Sequence, residues 1–194
     1  VAENLRRAGI VCTLVDQIKP GDNFQTTYGN AGLLAKSGIV PMSAPGFLKK
    51  IPKMLMDRNS PLFVKWSYLP KLLPWLIPFI KAGARERLPE IVSALDNLSN
   101  DTVEQHTLLA KGTGAEKFIR KGNLAFLYSD DKGFLEDKFA RGIKYDYGYK
   151  YEKLSRKEIV DIDPHISSRY KLASLYTDHG WITSPGKYNK AIFD

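Results

Sequence analysis

The chain has 194 residues, and 29 lysines and arginines against 21 aspartates and glutamates give it a formal net charge of +8. Hydrophobic residues make up 43% of it and charged residues 26%. This composition excludes a collagen-like repeat, a disordered tail and a small disulfide-stapled module. The positive charge permits anionic partners, but the sequence contains neither an arginine-rich arm nor zinc-finger spacing, so we expect no nucleic-acid partner.

Cysteine and histidine usage gives no sign of a metal site. The single cysteine, Cys12, excludes an internal disulfide and a zinc site built on cysteines. It lies in an apolar run, and we expect it to be a buried free thiol. His106, His165 and His179 lack metal-ligand spacing, which favours structural or solvated roles.

The first twenty residues have the pattern of the second half of a βαβ unit. Residues 1–8 have the pattern of a helix already under way, and Gly9 is predicted to end it. The apolar run Ile10–Val15 is typical of a buried strand of a parallel sheet, and Asp16 follows it. An acid at the tip of such a strand can accept hydrogen bonds from both ribose hydroxyls of an adenine dinucleotide. A plain solvated aspartate is the alternative.

The loop Gln25–Gly32 is the second candidate for ligand binding. Its small residues let the backbone approach a ligand, and its threonine and asparagine side chains offer donors and acceptors to a phosphate or a polar ring edge. A surface loop without a ligand is the alternative that composition alone favours.

A short helix is predicted over Phe47–Met56, and an unusual proline-rich segment follows it. Pro70, Pro74 and Pro78 recur every four residues, which predicts short helices and kinked turns instead of one rod. The aromatic and basic residues of 62–80 favour packing inside the protein or on a partner. The alternative is an interfacial membrane anchor, because the segment is too broken to span a bilayer.

The remaining sequence alternates between helix and strand patterns, so the predicted fold class is mixed α/β. The predicted elements are a helix over Leu88–Lys111 that resets at Asn100–Asp101, a strand over Asn123–Tyr128, a helix from Asp130 to about Arg141, a weaker strand near Tyr151, a helix capped by Ser155, a strand over Leu172–Thr177, a turn at Asp178–Gly180 and a helix opened by Ser184 and Pro185.

Several of these motifs, taken in order, resemble those of the FAD-dependent D-amino-acid dehydrogenase group of the D-amino-acid oxidase-like superfamily. The similarity is collinear over nearly the whole chain. The motifs are Asp16, Pro20-Gly21, Thr26–Gly32, Ser43–Gly46, Pro61-Leu62, Trp66, Leu69–Trp75, Arg120–Leu124, Asp178–Gly180 and Ser184-Pro185.

The resemblance implies part of a Rossmann-like FAD-binding domain with an inserted helical and mixed α/β substrate domain. The expected boundaries are 1–46 for the partial FAD-binding domain, 47–178 for the insertion and 179–194 for the return toward the FAD-binding domain. The site residues that it implies are Asp16 at the adenosine ribose, Thr26 and Thr27 near the pyrophosphate, and Asn30, Ala31, Gly32 and Leu33 near the flavin ring.

The resemblance also implies a reaction and its partners. A D-amino acid would pass a hydride to FAD, the imino acid would hydrolyse to a keto acid and ammonia, and the electrons would go to a quinone or another acceptor. We expect a cytoplasmic protein, with possible peripheral contact to the inner face of the plasma membrane. The alternatives are a related flavin enzyme acting on glycine, sarcosine or opine-type substrates, and a non-catalytic docking domain.

A further expectation is that the chain is an internal fragment. The glycine-rich phosphate turn and the residues that grip the substrate carboxylate would lie outside it. Alone, it is therefore expected to bind FAD poorly and to lack full activity.

Overall fold

The computed structural model describes residues 1–45, 51, 54–56 and 65–194. Most of the helix predicted over Phe47–Met56, and the motif residues Gly46, Pro61 and Leu62, lie outside the described residues. The chain forms two compact units, one of residues 1–37 and 99–194 and the other of residues 38–98. The three-part domain division expected from the resemblance stays a prediction.

An antiparallel sheet organises the first unit. Its central strand is β4, Leu172–Ile182, which pairs along one edge with β2, Ile119–Tyr128. The other edge of β4 pairs with β3, Tyr151–Ser155, and with β1, Leu33–Leu34. Both edges of β4 therefore have partners, and the mixed α/β fold class is confirmed.

Several helices begin at the cap residues that the sequence predicts. Ser155 and Glu158 form the expected capping box, and Asp130 accepts a hydrogen bond from the Gly133 backbone N–H at 2.7 Å. The helix expected from Asp130 to Arg141 is divided at Asp137. The helices are α1 (Ala2–Arg7), α2 (Leu69–Ala82), α3 (Leu88–Ser99), α4 (Thr102–Ala110), α5 (Asp131–Glu136), α6 (Lys138–Asp146), α7 (Arg156–Ile162) and α8 (Pro185–Phe193).

Apolar side chains cover one face of the sheet and one end of it. Leu154 and Ala173 pack against Ile159 of α7. At the end of β4, Ile182 is buried in a second cluster with residues of β1, α4 and α8. This packing places α4 and α8 beside the end of the sheet where β1 joins it.

The opposite face of the sheet carries an aromatic and cationic cluster. The Arg141 guanidinium lies 3.6 Å from the centre of the Phe134 ring, and Lys144 Nζ lies 3.9 Å from the centre of the Phe126 ring. Lys144 is buried, and burial lowers its pKa. The ring faces partly offset the desolvation of these cations.

The segment Ile10–Val15 is not a strand, so the predicted buried parallel strand is wrong. Val11 is 97% exposed and Val15 is 88% exposed. A buried strand needs neighbours for its backbone N–H and C=O groups, and the described strands form an antiparallel sheet that does not include this segment. Cys12 is exposed for the same reason, so the expected buried thiol is also wrong.

The second unit contains the proline-rich helix α2. It is one 14-residue helix with Pro74 and Pro78 inside it, so the predicted breaks are wrong. Pro70 stands in the first turn, where no helical N–H bond is lost, and the other two prolines each remove one donor while the remaining donors keep the ladder.

No side chain of α2 is fully buried, which contradicts packing in the core, whereas packing on a partner stays a prediction. Trp75 is 59% exposed, and its ring stacks on Phe79 at a centroid distance of 4.9 Å. In the part of the chain that the structure describes, no helix combines the length and apolar character needed to cross a membrane.

Candidate functional site

The first unit contains a cavity of about 990 Å³ with mostly apolar walls, which we call the apolar cavity. Its walls come from α1, the segment after Gly9, the end of β4 and α8. Four of the predicted site residues line it: Thr27, Asn30, Gly32 and Leu33. The other three predicted residues, Asp16, Thr26 and Ala31, are not among its lining residues.

Successive turns shape the loop that carries these residues. The Tyr28 N–H donates to the Gln25 carbonyl at 3.0 Å, and Asn30 Oδ1 accepts from the Gly32 N–H at 2.7 Å. Gly32 has a φ of +70°, and a Cβ there would clash with the Ile182 carbonyl oxygen. Glycine is therefore required where the loop meets β4.

Asp16 lies in solvent beside this loop. Its carboxylate accepts hydrogen bonds from the Gln17 N–H at 2.6 Å and from the Gln25 side-chain amide at 3.3 Å. The side-chain oxygen Oε1 of Gln25 in turn accepts from the Gly21 N–H at 2.6 Å. These bonds tie Asp16 to the base of the loop, and its assignment to a ribose stays a prediction.

A tyrosine and a histidine face each other on the wall of the apolar cavity. The Tyr188 hydroxyl lies 2.9 Å from His106 Nδ1 and 3.2 Å from the His106 carbonyl oxygen. Burial raises the pKa of Tyr188 to about 12 and lowers the pKa of His106. Both side chains therefore favour their neutral forms, which suits an apolar wall.

A second cavity, of about 470 Å³, lies in the same unit, and we call it the polar cleft. Lys36 and Glu104 in this cleft form an ion pair of 2.8 Å, and the hydrogen bond from Lys36 lowers the pKa of Glu104. The chemistry-bearing residues that line the cleft are Lys36, Glu104, Lys121, Asn123, Asp178 and His179.

A β-bulge places Asp178 at the cleft. Thr177 and Asp178 of β4 oppose the single residue Asn123 of β2. Asp178 has a φ of 62°, and among the described residues it is the only non-glycine residue with a positive φ. The predicted turn at Asp178–Gly180 is therefore wrong, because aspartate also adopts this backbone conformation at a bulge inside a strand.

His179 is buried and anchors the segment that follows β1. Its Nδ1 lies 2.6 Å from the Thr177 carbonyl oxygen, which assigns the ring proton to Nδ1. Nε2 then accepts from the Ser37 N–H at 3.2 Å and from the Ser37 hydroxyl at 2.9 Å. Burial lowers the pKa of His179, so the ring stays neutral.

The sequence does not identify the polar cleft. Lys36, Lys121 and Asp178 lie in three distant segments, and only the turn-forming character of Asp178 marks it as unusual. Among the described residues, no group of three or more histidine, cysteine, aspartate or glutamate side chains could hold a metal ion.

Comparison with known proteins gives a consistent family. The family model described as "DAO: FAD dependent oxidoreductase" matches residues 1–194. A D-amino-acid oxidase from Bradyrhizobium diazoefficiens is 32% identical over 187 residues, which is 96% of this chain and 44% of that protein. D-amino acid dehydrogenase 2 from Ralstonia nicotianae is 32% identical over 84% of this chain and 38% of that protein.

A D-amino acid dehydrogenase from Helicobacter pylori is more distant, at 23% identity over 84% of this chain and 38% of that protein. The chain thus spans less than half the length of these curated relatives. No solved structure matches it significantly.

Proposed function

This chain belongs to the DAO family of FAD-dependent oxidoreductases, and from that premise we propose that it takes part in the oxidative deamination of D-amino acids. The observation that carries the proposal is that the loop expected to approach the flavin lines a large apolar cavity in a chain that is 32% identical to a D-amino-acid oxidase. The names of the other relatives, D-amino acid dehydrogenases, support the same substrate class.

The residues of this chain fit FAD in part. The apolar cavity offers an apolar wall for a flat ring, with Gly32 and Leu33 at its edge and the Thr27 hydroxyl and Asn30 amide nearby. In the proposal Thr26 and Thr27 serve the pyrophosphate and Asp16 accepts from the ribose hydroxyls. FAD supplies the chemistry, because the flavin takes up the hydride from the α-carbon.

We propose that FAD binding also needs polypeptide of the kind that the relatives carry outside the matched region. Two observations support this. The relatives are more than twice as long as this chain. The apolar side chains of Val11 and Val15 are 97% and 88% exposed, and additional strands would cover them.

A chimera tests the proposal. Residues 1–194 replace the matching segment of the Bradyrhizobium D-amino-acid oxidase, and the product is assayed for bound flavin by absorbance. D-amino-acid-dependent reduction of a dye is then followed with and without oxygen. We expect bound FAD, keto acid and ammonia. A chimera that folds and binds FAD, yet oxidises glycine or sarcosine in place of larger D-amino acids, would support the alternative substrate class.

Asp16 provides the residue-level test. The Asp16→Ala change in the chimera is expected to weaken FAD binding about tenfold or more, because a charge-assisted hydrogen bond to the ribose is lost. Asp161→Ala is the matched control, since Asp161 is exposed and lines neither cavity. Unchanged FAD affinity in Asp16→Ala would show that the ribose assignment is wrong.

We also propose that helix α2 makes peripheral contact with the inner face of the plasma membrane. Residues 65–82 contain Lys65, Lys71 and Lys81 and no acidic residue, so their charge is complementary to anionic lipids. Exposed tryptophans beside lysines are typical of an interfacial helix.

Vesicle co-sedimentation tests this second proposal. Replacing Trp75 and Phe79 with serine is expected to abolish binding to vesicles that contain anionic lipid. Leu135→Ser is the control, because Leu135 is 63% exposed on α5 and lies outside α2. Equal binding by the double variant would remove the proposal.

A further inference from the structure

We propose that this chain forms a symmetric dimer in which β2 pairs antiparallel with the β2 strand of a second copy. The surface involved is the edge of Ile119–Tyr128 that faces away from β4, which we call the β2 edge. Two four-stranded sheets would then join into one continuous sheet across a two-fold axis. This inference goes beyond the proposed function and does not depend on it.

The β2 edge has no strand partner among the described residues. β4 has strand partners on both of its edges, whereas β2 pairs with β4 alone. Lys121, Asn123 and Ala125 of β2 are exposed, so no described segment covers the strand there. Such an edge presents a row of backbone N–H and C=O groups to which another strand can bond.

β2 lacks most of the features with which proteins block an exposed edge. Those features include a short strand, a proline and a bulge that twists the edge away. β2 has ten residues without a proline, and the extra residue of the bulge belongs to β4. Phe126 of β2 is 37% exposed although its side chain is apolar. A neighbouring strand would cover this ring with a side chain on the same face of the sheet.

The charges at the two ends of β2 identify an antiparallel second copy as the complementary strand. The basic end comprises the exposed residues Lys117, Arg120 and Lys121, and the acidic end comprises the exposed residues Asp130 and Asp131. Antiparallel pairing of two copies brings the basic end of each to the acidic end of the other, so the complementary contacts form twice. Parallel pairing would instead place like charges side by side.

The contacts that these charges make within one chain leave them available to a second copy. Arg120 Nη1 donates to two backbone carbonyl oxygens at 2.8 Å, and the guanidinium keeps further donors. The Asp131 carboxylate lies 3.6 Å from Lys153 Nζ, but the Asp131 side chain is 80% exposed, and such a surface pair contributes little. Asp130 caps α5, so it is left unchanged in the tests below.

Sedimentation velocity and amide hydrogen exchange of the 194-residue chain test the proposal. We expect a monomer–dimer equilibrium in the micromolar range, which added salt weakens because the charges at both ends are exposed. With rising protein concentration, exchange over residues 123–127 is expected to slow, while exchange in β4, already paired on both edges, stays constant. A chain that stays monomeric up to its solubility limit, or a dimer with unchanged exchange in β2, overturns the proposal.

A mixture of two charge-reversed variants tests the contact between the two ends. Arg120→Glu and Asp131→Lys are each expected to weaken self-association about tenfold or more, because each homodimer then holds like charges at both contacts. An equimolar mixture of the two variants is expected to restore the parent affinity, since every acidic end then meets a basic one. Mixing would not restore a variant whose own fold was damaged.

Lys157→Glu and Asp161→Lys on α7 are the matched controls. Both residues are exposed, and α7 packs against Leu154 of β3, which lies across β4 from β2. We expect both controls to self-associate like the parent chain. Equal weakening by all four variants, or a mixture of Arg120→Glu and Asp131→Lys that stays monomeric, overturns the assignment of the dimer to the β2 edge.

Discussion

The segments Ile10–Val15 and Leu172–Ile182 are both predicted, wholly or in part, to be strands, but only the second forms one. β4 pairs along both edges, whereas Val11 and Val15 project into solvent. Composition gives a segment its preference for extended backbone, but hydrogen-bonding partners decide whether a strand forms. β4 even keeps its pairing across the bulge at Asp178, where the local sequence favours a turn.

The largest expected effect is on the free energy of unfolding. It distinguishes Gly32, at the junction with β4, from Gly9, beside the segment Ile10–Val15. Gly32→Ala is expected to cost about 3 kcal/mol or more of unfolding free energy, because alanine disfavours a φ of +70° and its Cβ would clash with Ile182 of β4. Gly9→Ala, beside Ile10, is expected to cost only about 1 kcal/mol, because its φ of +77° is strained but the space is open.

Urea unfolding followed by circular dichroism measures both glycine variants. Gly142→Ala is the control, since Gly142 lies inside α6 with open space around its Cα, and we expect it to stabilise the chain by about 0.5–1 kcal/mol. Equal losses of unfolding free energy for Gly32→Ala and Gly9→Ala would mean that the junction with β4 is no more constrained than the segment Ile10–Val15.

The next effect is a dependence of stability on pH, to which His179 of β4 contributes. Burial lowers the pKa of His179, and the nearby positive charges of Lys144 and Lys36 lower it further, while the Thr177 carbonyl and Asp178 oppose this shift. Burial also lowers the pKa of His106. The unfolded chain therefore binds more protons as the pH falls through the ordinary histidine pKa of about 6.5, and stability is lost in the same direction.

Unfolding free energies between pH 7.5 and 5 check this effect, with a limiting slope of about 1.4 kcal/mol per pH unit for each histidine. His179→Gln is expected to reduce the slope. His165→Gln is the control, because His165 is exposed and its Nδ1 lies 3.3 Å from the Asp163 carboxylate. A slope that His179→Gln leaves unaltered would contradict the assignment to β4.

A smaller effect compares two tyrosines on the same face of the sheet. The Tyr176 hydroxyl is buried without a hydrogen-bond partner among the described residues, so Tyr176→Phe is expected to stabilise the chain by up to about 1 kcal/mol. The Tyr128 hydroxyl donates to Asp137 at 2.6 Å, so Tyr128→Phe is expected to destabilise it by about 1–2 kcal/mol. Thermal unfolding of both variants checks the opposite signs, and a loss in both would place an ordered partner at Tyr176.

The predictions that succeeded from sequence depend on local chemistry. The capping box at Ser155 and the helix opened by Pro185 each lie within a few residues, so nothing distant is needed to specify them. In contrast, whether Ile10–Val15 forms a strand depends on pairing with strands that are distant in sequence, and a local sequence pattern does not specify such pairing.

The candidate site shows the same division. Thr27, Asn30, Gly32 and Leu33 lie in one continuous loop and line the apolar cavity, while their roles toward FAD stay a prediction. The polar cleft combines Lys36, Lys121 and Asp178 only because β2 and β4 pair with a bulge near the end of the sheet. A site assembled by strand register leaves no spacing in the sequence to recognise.

The smallest expected effect on the free energy of unfolding lies in the segment Ile10–Val15. Its size differs between the isolated chain and the chimera. In the isolated chain, Val11→Asp is expected to alter the unfolding free energy by less than about 0.5 kcal/mol, because Val11 is 97% exposed and its side chain has little contact to lose.

In the chimera, neighbouring strands are expected to bury residue 11, and an unpaired buried carboxylate costs several kcal/mol. Val11→Asp should then lower both the melting temperature and the FAD content, whereas Val11→Ile should preserve both. A chimera that tolerates Val11→Asp would show that this segment stays uncovered even when its neighbours are supplied, and its apolar composition would then need another explanation.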